Sequence, residues 1–121
     1  MEKAKKNGVE ILLPTDYVTA SEFSKHAQVG YATDQDGIPD GWLGLDCGEK
    51  STELFNQAIK NSKTILWNGP AGVFEFPNFA KCSISMLNAC IEAAKNGTTV
   101  IVGGGDTATC MKKMSFTQLS V

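Results

Sequence analysis

The chain has 121 residues, 42% of them hydrophobic and 20% charged, with eleven basic and thirteen acidic side chains and a net charge of −2. That length suits one domain with one core, no apolar run approaches the roughly 20 residues that cross a bilayer, and no basic stripe suggests nucleic acid. Every basic residue is lysine, so an anion would be held by backbone amides, helix ends, lysines or a metal rather than by arginine's planar fork.

The opening MEKAKKNGVE lacks the apolar segment and small-residue cleavage site of a secretory signal, so the expected compartment is the cytoplasm. Ala4-Lys5-Lys6 is good helix-forming text and Asn7-Gly8 stops it. VEILLP, Val9 to Pro14, reads as a short buried strand closed by proline, and Asp16 to Val18 adds a brief extended segment. From Ser21 to Gly41 the text is polar and glycine-punctuated, which predicts a long irregular connection with a turn at Gly37 to Gly41. Asp46 and Glu49 then have the spacing of a capping box, and Leu54, Phe55, Ala58 and Ile59 mark one face of a helix running to about Asn61.

TILWNG, Thr64 to Gly69, is a strand by its β-branched start and its tryptophan. Pro77 fits the first turn of a helix whose apolar face uses Phe79, Met86, Leu87, Cys90, Ile91 and Ala94 and which ends at Asn96-Gly97. TTVIV, Thr98 to Val102, is another strand, and Asp106 to Met114 a last short helix. Continuous apolar strands separated by helices predict an α/β fold, a parallel sheet with helices on both faces.

Four cysteines, Cys47, Cys82, Cys90 and Cys110, are too scattered for metal knuckles, with only His26 to join them. Cys82 and Cys90 fall about two turns apart on one helix, too far to bridge, and all four are read as reduced thiols filling space. His26, in a polar segment, is read as a surface residue.

In a parallel sheet, ligands sit beyond the carboxyl ends of the strands, which puts NGPAGVFE and GGGDT on one rim. Glycines there let backbone approach a ligand, and the following helix offers free N–H groups and the positive end of its dipole, a setting suited to phosphate. A bare tight turn is the competing account of the glycine run. Gly103 to Ala108 also matches the dinucleotide pattern GxGxxA, but the acidic residue expected some 20 positions later does not follow, and the Walker pattern is absent. Asp106 would repel phosphate unless a cation stood between them, which points to magnesium; a plain helix N-cap is equally compatible with its spacing. In the companion loop, Val73 and Phe74 offer apolar surface and Glu75 a hydroxyl-binding carboxylate, as an adenosine would require. The plainer alternative makes Val73 and Phe74 core residues and Glu75 part of the next helix.

GIPDGWLGLDCG (Gly37 to Gly48), ILWNGPAGVFEF (Ile65 to Phe76) and VGGGDTATC (Val102 to Cys110), with KNGVEILLPTDYVTA near the start, resemble signature stretches of phosphoglycerate kinase in order and spacing. The resemblance spans residues 1–121 and is to the later portion of that family's C-terminal nucleotide-binding domain, a partial Rossmann-like unit without the N-terminal domain. It implies phosphoryl transfer between 1,3-bisphosphoglycerate and ADP, giving 3-phosphoglycerate and ATP in glycolysis, with magnesium as cofactor.

By that resemblance Gly44, Leu45 and Val73 flank the adenine, Glu75 binds ribose hydroxyls, and Asn68, Gly69 and Phe74 line the nucleotide. Asp106 ligates magnesium, while Gly104, Gly105 and Thr107 contact the phosphates, the two glycines at the site of transfer. The family's full-length members are expected to be monomers, and the substrate acid is held by arginines of the N-terminal domain. This chain is therefore expected to supply part of the nucleotide site and to be inactive alone; a non-catalytic nucleotide-binding α/β module is the other reading.

Overall fold

A computed structural model describes residues 1–105 of the chain. Helix α1 (Glu2–Lys6) ends at Asn7, where Gly8 takes a positive φ of 69° and turns the chain out of the helix. Residues 9–15 form no strand, contrary to the expectation for VEILLP. Val9, Ile11 and Leu13 are exposed at 56%, 43% and 58%, and an extended run becomes a strand only when a neighbour pairs with it.

Strand β1 (Asp16–Ala20) is the centre of an antiparallel sheet in the order β2-β1-β3, with β2 spanning Val29–Thr33 and β3 spanning Leu43–Cys47. Two of these strands lie in text expected to be irregular or to lead straight into a helix. VGYAT and LGLDC are five-residue segments that carry glycine, and pairing with β1 rather than their own propensity makes them strands. The register slips between Val18 and Thr19, a bulge that re-aims the β1–β3 ladder.

Helix α2 (Glu49–Lys60) follows, then strand β4 (Thr64–Asn68), a single 3-10 turn at Pro77–Phe79, helix α3 (Lys81–Lys95) and strand β5 (Thr99–Gly103). Pro77 thus opens a 3-10 turn, and the long helix starts four residues later. Strands β4 and β5 pair in parallel, Thr64 beside Thr99 through Asn68 beside Gly103. The α/β class is as expected, but the strands divide between an antiparallel sheet and a parallel pair, because β1, β2 and β3 are joined by connections without a crossover helix. The helix expected over Asp106 to Met114 lies outside the described residues.

Two apolar clusters hold the molecule. One gathers Ile59 of α2, Trp67 of β4, Leu87, Cys90 and Ile91 of α3, and Val100 and Val102 of β5, with Phe74. The other joins Val18, Ala20, Ala27, Leu45 and Phe79, with Val73 and Phe76 against it. The described helices cover one face of the β4–β5 pair; on the other, Leu66 and Ile101, paired in register, are 70% and 45% exposed.

The start of α2 is capped from another strand. The Asp16 carboxylate on β1 accepts the N–H groups of Lys50 (3.1 Å) and Ser51 (2.8 Å) and the Ser51 hydroxyl, while Ser51 Oγ accepts the N–H groups of Thr15 and Asp16. The helix N-cap is Gly48, where a side chain would run into the Asp16 carboxylate, and Asp46 makes no cap there. The partners of the expected capping box are therefore reassigned: a carboxylate from β1 does the work because the bare Gly48 lets it in.

Burial pushes the Asp16 carboxyl up, but hydrogen bonds from the Ser51 hydroxyl and the Ser51 and Lys50 amides, with the Lys50 charge, outweigh it and leave the group below its ordinary value. A depressed folded-state value gives stability that is present above the ordinary carboxylate range and lost as pH falls through it. Asp16→Ala is expected to lower stability by about 1–2 kcal/mol at neutral pH. The loss should shrink toward pH 3, as read by urea unfolding followed by far-ultraviolet circular dichroism.

Candidate functional site

Parallel pairing of β4 with β5 brings the ends of both strands to one edge. Asn68 lies in register beside Gly103, so the loop that starts at Gly69 and the Gly103–Gly105 run leave the sheet side by side. Gly69 and Gly104 take positive φ values of 112° and 88°, a conformation that side chains other than glycine rarely adopt. Among the described residues, a Cβ at Gly105 would meet nothing within 4 Å, and one at Gly103 would come no nearer than 3.9 Å to any side chain. Bare backbone borders open space there, as a polyphosphate requires.

From Gly69 the loop runs to the antiparallel sheet. The Val73 N–H donates to the Leu45 carbonyl at 2.9 Å, joining the loop to β3. Gly44, Leu45, Pro70 and Val73 line one hollow of about 380 Å³, together with Asp46 and Cys47. Gly44, Leu45 and Val73 are thus brought together as the sequence suggests. A larger cavity of about 690 Å³, between β1, β2 and α2, contains none of the residues expected to bind nucleotide.

The remaining expected residues differ in exposure. Glu75 is exposed at the loop's far end and Asn68 is exposed at the strand end. Phe74 is 7% exposed within the β4–β5 cluster, so it anchors the loop rather than presenting its ring to solvent. Asp106 and Thr107, as well as Cys110, lie outside the described residues. His26 is exposed, as expected. Among the described residues no group of three His, Cys, Asp or Glu side chains is placed to hold a metal, and no helix is long and apolar enough to cross a membrane.

What fixes the loop is Asp46, which sequence reading assigned to the start of α2, together with Ser83, which it gave no role. Asp46, 5% exposed, accepts the N–H of Cys47 at 2.9 Å and, across the fold, the N–H of Cys82 in the first turn of α3 at 3.2 Å. Ser83, fully buried, accepts the N–H groups of Ala71 (3.0 Å) and Gly72 (3.3 Å). A Cβ at Gly72 would stand against the Asp46 carboxylate and 2.7 Å from the Phe79 carbonyl, so only glycine lets these segments close up. The capping chemistry of Asp46 was visible in its spacing; that it serves α3 rather than α2 was not, because its partner is distant in sequence.

A family model described as phosphoglycerate kinase matches residues 1–120. The chain belongs to the phosphoglycerate kinase family. It is 67% identical over 113 residues to the phosphoglycerate kinase of Funneliformis mosseae and 66% identical over 113 residues to that of Yarrowia lipolytica, in each case covering 93% of this chain and 27% of the relative. The phosphoglycerate kinase structure from Coxiella burnetii superposes with a TM-score of 0.90 at 31% identity, over 98% of this chain and 30% of that one. The enzyme from Pyrococcus horikoshii, at 19% identity and a TM-score of 0.73, shares the fold. The chain thus spans about a quarter of the length of the curated relatives it matches.

Burial pushes the Asp46 carboxyl up to about 6, against the amides of Cys82 and Cys47 and the Lys81 charge, which pull it down. A raised folded-state value means that the folded chain holds a proton the unfolded chain has released. This residue therefore favours folding near pH 4 and withdraws that support as pH rises through 6, by on the order of 2 kcal/mol. Asp46→Asn is expected to flatten the stability profile between pH 4 and 7, measured by urea unfolding at each pH. A variant whose profile keeps the parent's slope would assign the dependence to another group.

Proposed function

We propose that this chain supplies part of the Mg-nucleotide site of a phosphoglycerate kinase, a Rossmann-like nucleotide-binding unit of a cytoplasmic enzyme that exchanges a phosphoryl group between 1,3-bisphosphoglycerate and ADP. The observation that supports it best is the pairing of Asn68 with Gly103, which puts both glycine loops on one edge of the parallel strands.

In this reading the hollow lined by Gly44, Leu45 and Val73 takes the adenine, whose flat apolar face suits a wall of bare backbone and one valine. Glu75, exposed where the loop leaves the hollow, accepts the ribose hydroxyls. Asn68 and Gly69 border the path from hollow to glycine run, and Phe74 holds that path in place from beneath. Gly104 and Gly105 bring backbone against the phosphates, with the Thr107 hydroxyl as a further donor. The bare cradle at Gly103–Gly105 fits a polyphosphate, and Asp106, directly after it, is the carboxylate that would hold magnesium; the ion neutralises phosphate charge when bound.

Phosphoryl transfer depends on positioning and on cations around the moving group. The chain contains eleven lysines and no arginine, so we expect it to bind nucleotide without turning over alone. The non-catalytic module is the same reading with no other segment to complete it, and a coupled assay of the chain separates the two from any self-sufficient enzyme.

Calorimetric titration of the full chain with ADP and magnesium is expected to show saturable binding, weakened at least about tenfold by Asp106→Ala and less by Glu75→Ala. Unchanged affinity in Asp106→Ala would remove that carboxylate from the site, and turnover by the chain alone would overturn the expectation of inactivity.

A further inference from the structure

Two of the cysteines read as space-filling are neighbours. Cys47 is the last residue of β3 and Cys82 the second of α3, and the Asp46 carboxylate binds both their backbone N–H groups, at 2.9 and 3.2 Å. That shared carboxylate holds the two Cα positions in a fixed relation. Their side chains also meet: the Cys47 thiol donates a hydrogen bond to the Cys82 sulfur. The Met86 sulfur lies 3.8 Å away on the next turn.

The two thiols differ in the ways an exchange reaction uses. Cys82 is 1% exposed, whereas Cys47 is half-buried and borders both cavities, so a reagent reaches Cys47. The hydrogen bond from Cys47 outweighs burial and favours the thiolate at Cys82, while donating that bond, together with burial, holds the Cys47 thiol up. Cys82 is thus placed to take up the Cys47 proton as the accessible sulfur reacts. Cys90, 2% exposed on the same helix, has burial alone raising its thiol.

We propose that Cys47 and Cys82 are a redox-responsive dithiol pair that closes to a disulfide tying the end of β3 to the first turn of α3. With a low-molecular-weight disulfide RSSR as oxidant, the Cys47 thiolate attacks one sulfur, the RS–SR bond breaks and RS⁻ leaves. The Cys82 thiolate then attacks the Cys47 sulfur of the mixed disulfide and expels the second RS⁻. The two protein sulfurs are oxidised and RSSR is reduced to two RSH: the first RS⁻ takes the proton that Cys82 received from Cys47, which frees Cys82 to attack, and the second takes a proton from solvent. The closed bridge sits beside Gly44, Leu45 and Val73, so the redox state of the pair stiffens the wall of the smaller hollow.

The test uses the full chain and glutathione disulfide, with acid quench, alkylation of residual thiols and peptide mapping by mass spectrometry. The expected product is a Cys47–Cys82 linked peptide with Cys90 still open to alkylation, formed at least about tenfold faster in buffer than in urea, where the fold no longer pairs the thiols. Cys82→Ser is expected to stop at the mixed disulfide on Cys47. The proposal is overturned if the wild-type chain does not react, if it stops at a mixed disulfide, if it links through Cys90 or Cys110 instead, or if urea leaves the rate of the 47–82 linkage unchanged. The comparison in urea needs no variant and so stands even if Cys82→Ser does not fold.

Discussion

One buried carboxylate organises the centre of this molecule. Asp46 sits on β3, takes an amide proton from its own strand and another from the start of α3, and presses against a position in the intervening loop that only glycine can occupy. A charge at 5% exposure is costly unless it is hydrogen-bonded, and the elevation of its ionisation range shows that the cost is only partly offset. The penalty is accepted where three chain segments must meet: a strand, a helix start and the loop expected to carry nucleotide. Asp16 does a similar task for α2 with less burial and a net gain to the ionised form.

The loop between β4 and α3 joins the two apolar clusters by sending neighbouring residues opposite ways. Val73 and Phe76 pack on the cluster beneath the antiparallel sheet, and Phe74 enters the cluster beneath the parallel pair. Phe79 and Ala80 divide in the same manner. Phe76 also meets Phe23 edge-on, with ring centres 5.2 Å apart, which brings the polar connection after β1 into the same assembly. Gly69, Val73, Phe74 and Glu75, four of the candidate nucleotide residues, are therefore carried on a segment that belongs to both halves.

Much of this was legible in the text of the chain. The strands at Thr64 to Asn68 and Thr99 to Gly103, the stops at Asn7-Gly8 and Asn96-Gly97 and the shared rim all follow from local signals: β-branched runs, glycine punctuation and the rule that parallel strands present their ends together. The failures came where long-range partners decide. Val9 to Pro14 has strand composition and, among the described residues, no strand beside it; Val29 to Thr33 and Leu43 to Cys47 have weak composition and a strong neighbour in β1. Asp46 was correctly read as a cap and given to the wrong helix, since spacing along the chain cannot reveal a helix start brought in from 36 positions away. The proximity of Cys47 to Cys82 was hidden for the same reason.

The division of the β4–α3 loop between two interiors bears on how a guest would be received. A segment whose alternate side chains are rooted in different cores cannot slide or swing without unseating one of them. The surface that Leu45 and Val73 present is consequently set before anything arrives, and a visitor gives up little free energy in freezing it. Discrimination at such a wall would come from shape: a flat ring would seat without displacing it, and a bulkier one would meet resistance transmitted to both interiors of the protein.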